Sequence, residues 1–283
     1  MTIIQAILLG IIQGITEFIP ISSTAHLTLV GSLLGVIDFT HPERWTAFIA
    51  TIQLGSLLAV FAYFRHEIIS IPKAFFKENF KRIPFKKQSV DSRLGWLIIF
   101  GSIPIGIIGI VLKDFIEGSF TKELNVIGIS LIALALVLLL AEKTAKFKKD
   151  LSQIKVLDAI IIGFSQCLAL IPGASRSGTT LTGAMFCGIN RSDAAKFSFL
   201  LSIPAILASG LLSFYESTAF ITSADLVNLS VATLFAGISG YWAISFLIKF
   251  LKTKTTMVFI IYRICLGVIV LIVSHYFSWI KVV

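Results

Sequence analysis

Two stretches of the chain hold residues whose types and spacing suit chemistry on an anionic substrate. The first reads Gln13-Gly-Ile-Thr-Glu17-Phe-Ile-Pro-Ile-Ser22-Ser23-Thr-Ala-His26. Gln13 and Glu17 are four apart, so on a helix they project from one face. A carboxylate within an apolar segment is expensive and marks function. The Glu17 carboxylate and the Gln13 amide oxygen suit a hard cation, with most of its coordination shell left to water and substrate. His26 follows Ser23 by one helical turn. It is either a general base that activates the Ser23 hydroxyl or a satisfied core histidine. The second stretch reads Pro172-Gly-Ala-Ser175-Arg176-Ser177-Gly178-Thr179-Thr180. It gathers backbone N–H groups, hydroxyls and one guanidinium just before a short helix. That reads as an anion site, since the positive end of the helix dipole faces the ligand and a guanidinium can hold two phosphate oxygens at once; the alternative is a structural Arg176 that caps a neighbouring half-helix. Gly173 and Gly178 have the spacing of a nucleotide P-loop, but Thr179 stands where the lysine belongs and no strand precedes it, which excludes that reading.

These residues must be positioned by elements that live in lipid. The 283 residues are 56% hydrophobic and only 14% charged, with a mean hydropathy of +0.94. A soluble domain keeps about 25% charged residues to hold its surface in water. Six segments, 46–64, 94–113, 124–141, 196–215, 228–250 and 257–279, are long and apolar enough to cross a hydrocarbon core about 30 Å thick. Two other apolar regions, 3–36 and 157–189, are each interrupted by a polar, proline-containing stretch. Their arms, 3–18 with 24–36 and 157–171 with 180–189, are too short to span and are expected to form re-entrant helix hairpins. Irregular backbone at that depth is tolerated only where it is buried in protein or lines a cavity. The tips should therefore face each other or a pocket.

The basic residues sort to one set of ends. Loop 65–93 holds Arg65, Lys73, Lys77, Lys81, Arg82, Lys86, Lys87 and Arg93, and loop 142–158 holds Lys143, Lys146, Lys148, Lys149 and Lys155. With Arg191, Lys196, Lys249, Lys252 and Lys254 these make 18 of the 24 lysines and arginines, against Arg44, Lys113, Lys122 and Lys281 on the opposite ends. The positive-inside rule makes the crowded side cytoplasmic and puts both termini outside. The net charge of +9 thus reports orientation rather than nucleic-acid binding. Cys167, Cys187 and Cys265 have no zinc spacing and read as small packing residues. The first segment lacks a basic leader and carries Glu17, so no cleavable signal peptide is expected. Arg263, near the start of the last span, either snorkels or pairs with a carbonyl or carboxylate, and a structural role is expected.

The hairpins resemble each other. Gly10-Ile-Ile-Gln13 recurs as Gly163-Phe-Ser-Gln166, and after a one-residue gap Pro20-Ile-Ser-Ser23 aligns with Pro172-Gly-Ala-Ser175. Each hairpin precedes three spans, and three is odd, so the second half must lie upside down relative to the first. The fold expected is an all-α polytopic membrane protein, a single integral membrane domain over 1–283. It is built as an inverted-topology repeat, 1–142 and 156–283, each half a re-entrant helix hairpin plus three transmembrane helices. Such repeats place their site near the midplane, where the half-helices meet.

The two motifs closely resemble those of the undecaprenyl pyrophosphate phosphatase, or bacitracin-resistance, family, in a chain whose length and span pattern fit from end to end. The resemblance implies hydrolysis of undecaprenyl diphosphate to undecaprenyl phosphate and phosphate, recycling the lipid carrier of the bacterial cell wall. It also implies help from a divalent cation, Mg2+ or Ca2+, and a place in the bacterial cytoplasmic membrane. Carried over by position, Gln13 fills the family's Glu-or-Gln site, Glu17 the essential acid, and Ser23 and His26 the catalytic pair. Ser175, Arg176 and Thr180 fill the phosphate-binding motif, with Ser177 and Gly178 between them. Ala25 replaces the glycine expected before the histidine, and would strain the tip if that position needs a positive φ. The nucleophile is left open among Ser23, His26 and water, and a homodimer is left open as well. A lipid flippase or anion transporter on the same repeat is the alternative, since inverted repeats with broken helices are a transporter architecture. An anchor or channel without chemistry would leave Glu17, His26 and Arg176 unexplained.

Overall fold

The computed structural model describes residues 1–38, 42–112, 123–217 and 223–276, and its named elements are all helical. In chain order they are α1 (Ile3–Phe18), α2 (Ser23–Leu33), α3 (Pro42–Tyr63), α4 (Arg65–Phe80), α5 (Val90–Val111) and α6 (Leu124–Thr144). There follow α7 (Val156–Cys167), α8 (Arg176–Phe186), α9 (Arg191–Ser217), α10 (Ser223–Leu251) and α11 (Met257–Tyr276). Six of them, α3, α5, α6, α9, α10 and α11, are long and apolar enough to cross a membrane. They match the six segments expected from hydropathy. Leu33, Leu58, Ile110, Leu234 and Trp242 are among many large apolar side chains that lie exposed. In water such a surface would be an aggregation liability; in a bilayer it faces its solvent. Of the residues assigned to the sparsely charged ends, Lys113, Lys122 and Lys281 lie outside the described residues.

Two expectations are corrected. Segment 65–93 is no loop: α4 occupies its first half, packed on α5, with Trp96 Nε1 donating to Asn79 Oδ1 at 3.2 Å. Its apolar residues are too few for a hydropathy scan to register, and of them Ile71 is buried while Ile69, Phe76 and Phe80 stay exposed. Lys196 of α9 ties α4 down through Glu67 at 2.7 Å. Burial is the largest single effect and raises the Glu67 pKa, but the hydrogen bond from Lys196, a backbone hydrogen bond and the charges of Lys196 and His66 together leave it below its ordinary value. The second arm of the second hairpin begins at Arg176 and not near residue 180, because Ser175 caps it. Ser, Gly and Thr are weak helix formers, which conceals the start of this helix in the sequence.

Local chemistry explains the helix ends. Thr2 and Gln5 form a capping box at the start of α1, which stops at Ile19, the residue before Pro20, where α geometry is disfavoured. On the basic side, Arg191 grips Glu142 with Nε at 2.9 and 3.0 Å from the two carboxylate oxygens. Thr256 donates to the same carboxylate through N at 3.2 Å and Oγ1 at 2.7 Å. This joins the end of α6 to the starts of α9 and α11.

The first helix of each hairpin crosses a long helix of the other half at backbone contact, α1 on α10 and α7 on α5. A Cβ added at Gly10 would lie 2.3 Å from the Ala232 carbonyl oxygen, and one at Gly163 would lie 2.3 Å from that of Gly101. Only glycine lets the backbones approach so closely. Gly10→Val should therefore lower stability by about 3 kcal/mol through forced helix separation. Gly106→Ala, whose Cβ would meet nothing within 4 Å, should be neutral. Thermal unfolding in detergent, followed by tryptophan fluorescence, compares the two, and equal midpoints would refute the tight crossing.

Candidate active site

The two hairpin tips are built alike. Ser22 and Ser175 cap the second helix of each hairpin, accepting from Ala25 N at 3.4 Å and from Gly178 N at 3.3 Å. Both sit at positive φ, 76° and 66°, which a residue with a side chain adopts only when its surroundings impose it. Gly35 and Gly188, at φ 62° and 83°, follow the two second helices. The backbone thus matches Ser22, not Ser23, with Ser175, and the one-residue gap in the sequence alignment is unnecessary. Ala25 lies in the first turn of α2 without positive φ, so the glycine-to-alanine departure introduces no strain there. The second tip is held on α6 by Ser130, whose hydroxyl donates to the Pro172 carbonyl at 2.5 Å. Gly173, at φ 88°, leaves room for that hydroxyl.

The tips meet through an ion pair. Glu17, its side chain 6% exposed, accepts from Arg176 Nη2 on Oε1 at 2.9 Å. Its other oxygen, Oε2, accepts from Ser23 Oγ at 2.8 Å and from Gln13 Nε2 at 3.2 Å. Gln13 Nε2 also reaches Ser56 Oγ of α3 at 3.4 Å. Phe18, next to Glu17, packs edge-on against Phe199 of α9 at 5.3 Å and fixes this end of α1. Glu17 and Arg176 are 159 positions apart in sequence, yet form one buried salt bridge.

Buried polar atoms without a partner at the tips include Gln13 Oε1, Arg176 Nε and Nη1, and Nε and Nη1 of Arg263. Leaving such groups unpaired costs about 1–3 kcal/mol each, and more when charged. A ligand with acceptor oxygens would satisfy the two guanidinium nitrogens of Arg176. The hydroxyls expected to bind phosphate are otherwise engaged. Ser175 Oγ and Ser177 Oγ lie 3.2 Å apart, and Ser177 Oγ reaches the Ile19 carbonyl of the first tip at 3.4 Å. Thr180 Oγ1 donates to the Arg176 carbonyl at 2.7 Å and also pairs with Ser198 of α9, away from the tip. Gly178 is needed for space, since a Cβ there would come 2.6 Å from Arg263 Nη1.

His26 is not joined to Ser23. Its Nδ1 lies 2.7 Å from the Ser22 carbonyl oxygen and its Nε2 lies 2.6 Å from Tyr262 Oη, while the Ser23 hydroxyl goes to Glu17. Tyr262 carries no signal in the sequence, as an aromatic residue in an apolar span is unremarkable. Its neighbour Arg263 is 0% exposed and donates through Nη2 to the Ala174 carbonyl at 2.9 Å, so it does not snorkel. Among the described residues, no three His, Cys, Asp or Glu side chains come together as a metal cluster. Beside Glu17, the unpartnered Gln13 Oε1 is a further oxygen that could face a cation.

Six long apolar helices and two short-helix hairpins, with a buried charge pair where the hairpins meet, define a polytopic membrane protein. Residues 6–269 match the family described as Bacitracin resistance protein BacA, and the chain belongs to that family. A relative from Syntrophobacter fumaroxidans, named undecaprenyl-diphosphatase, is 53% identical over 268 residues, covering 94% of this chain and 95% of that protein. Relatives of the same name from Chloroherpeton thalassium and Myxococcus xanthus are 49% and 47% identical. They cover 96% of this chain in each case, and 96% and 89% of their own lengths.

Proposed function

We propose that this protein hydrolyses undecaprenyl diphosphate to undecaprenyl phosphate and inorganic phosphate, the activity in its relatives' names. The observation that carries the proposal is the Glu17–Arg176 pair, with two guanidinium nitrogens unpaired and Ser23 held on the carboxylate. Arg176 Nη2 together with Nε or with Nη1, the two donor edges of the guanidinium, would receive oxygens of the terminal phosphoryl group. There they would stabilise the charge spread over it in the transition state, where electrostatics and positioning dominate. As the guanidinium turns to phosphate, Glu17 is released from its cation and is placed to take the Ser23 proton. Ser23 Oγ would then attack the terminal phosphorus, the bond to undecaprenyl phosphate would break, and water would later cleave the phosphoseryl group.

For a divalent cation, Mg2+ or Ca2+, the donor set fits in part. Gln13 Oε1 and Glu17 would hold it together with diphosphate and water oxygens, and its contribution would be neutralisation of diphosphate charge. The two halves, 1–142 and 156–283, we read as inverted repeats. The like-built tips and the reciprocal crossings at Gly10 and Gly163 support this, as do the pairings of α3 with α9 and α6 with α11. The charge distribution supports basic segments 65–93 and 142–158 on the cytoplasmic side of a bacterial inner membrane, with both termini outside.

The test is phosphate release from undecaprenyl diphosphate by purified protein in detergent, with a Mg2+ and Ca2+ titration after chelation. Release that depends on the protein and rises with the cation is expected. Movement of the lipid across liposomes with no phosphate released would instead favour the transporter reading.

A further inference from the structure

We infer that Tyr262 is the positioning residue for His26: its hydroxyl donates to His26 Nε2 and presents the ring in one tautomer and one orientation. The inference rests on the phosphatase reading for its kinetic consequence, though not for its geometry. The Ser22 carbonyl can only accept a hydrogen bond, so His26 Nδ1, 2.7 Å away, carries the proton. In the neutral ring Nε2 then holds the lone pair, and the partner 2.6 Å away must donate, which the Tyr262 hydroxyl does. What sets the tautomer of a histidine is the bond made by its other nitrogen. Here both nitrogens are set, one by the strained Ser22 backbone and one by α11. The rings of His26 and Tyr262 lie nearly parallel, 6° apart with centroids at 5.6 Å, so with Nε2 and Oη 2.6 Å apart they meet edge to edge through their polar atoms.

This arrangement assigns a role that Ser23 does not fill. With Nδ1 committed to a carbonyl, Nε2 is the atom of His26 able to accept or deliver a proton, and Tyr262 Oη is the group in contact with it. Tyr262 is 44% exposed while Arg263 beside it is fully buried against the second tip, so consecutive residues of α11 serve the two hairpins. The tyrosine is the outer, accessible partner, the side from which a lipid-borne substrate would reach His26.

The experiment compares wild-type protein with Tyr262→Phe, which keeps the ring and removes only the hydroxyl. In 15N-histidine-labelled protein in detergent, the His26 ring signals are those lost in His26→Ala, among the four histidines of the chain. Wild type should show the Nδ1–H tautomer with Nε2 hydrogen-bonded, and Tyr262→Phe should move the Nε2 signal toward that of a free lone pair. With undecaprenyl diphosphate, Tyr262→Phe should lower kcat about tenfold, the worth of one lost hydrogen bond, with KM changed less than twofold. In a His26→Ala background the same substitution should add nothing, because the two residues act as a unit. Unchanged His26 ring signals in Tyr262→Phe, or an equal loss of kcat with and without His26, would overturn the inference. If the wild-type protein releases no phosphate, the phosphatase reading falls, while the ring signals still decide whether Tyr262 positions His26.

Discussion

Arg176→Lys is expected to reduce phosphate release from undecaprenyl diphosphate by about a thousandfold, the range in which a transition-state arginine acts. The argument turns on shape and not only on charge. Arg176 uses Nη2 to hold Glu17 at 2.9 Å and leaves Nε and Nη1 buried and unpaired. Both flat edges of the guanidinium, Nε with Nη2 and Nη1 with Nη2, include the nitrogen on Glu17, so a phosphate taking either edge draws Arg176 away from the carboxylate. Lysine keeps the positive charge that Glu17 needs, but its single ammonium nitrogen lacks the flat, bidentate edge. Lysine is also the cleaner variant. Removing the cation altogether, as in Arg176→Ala, would leave a buried carboxylate unpaired at a cost of about 3–5 kcal/mol and confuse folding with function. Initial rates of phosphate release, with the thermal midpoint measured beside them, make the check. A folded Arg176→Lys protein retaining more than about a tenth of wild-type activity would remove the guanidinium edge from the site.

Glu17→Gln should lower kcat by about a thousandfold while tightening the binding of phosphate, and the two effects have opposite signs for one reason. In the proposed reaction the carboxylate is the base for Ser23, its Oε2 2.8 Å from the hydroxyl, and loss of a general base costs about a hundred- to ten-thousandfold. The same carboxylate competes with substrate for Arg176. With glutamine in its place the guanidinium is uncompensated in a buried setting, and an anion becomes its best partner. Inorganic phosphate should therefore inhibit the residual activity at lower concentration than in wild type, and should raise the variant's thermal midpoint more. Those two measurements separate this account from a purely structural one. If kcat falls and phosphate binding weakens as well, Glu17 supports the shape of the site and does not compete for Arg176.

Much of this was legible before any coordinates. The six spans follow from hydropathy alone, because a chain with 14% charge cannot hold so much apolar surface in water. Glu17 and Arg176 stood out for the same reason: a charge in an apolar segment is costly enough to need an explanation. Helix α4 is not legible in the sequence because its apolar residues are too sparse among lysines and other polar residues for a hydropathy scan. The start of α8 is not legible either, because a serine cap works through a side-chain hydrogen bond, which composition does not register.

What the sequence determined by itself is therefore which residues are expensive, how many helices are long and apolar enough to cross, and that two hairpins of like pattern hold the candidate site. Each of these is a matter of local composition, spacing and transfer cost. Only the tertiary structure decided the partnerships. It put Ser23 on Glu17 rather than on His26, turned Thr180 toward Ser198, and brought Tyr262 and Arg263 from the last helix to opposite tips. The physical reason is that a side chain's partner depends on the direction in which it leaves the backbone and on what distant elements pack beside it. Along the chain Ser23 is closer to His26 than to Glu17, yet the strained turn at Ser22 aims its hydroxyl the other way.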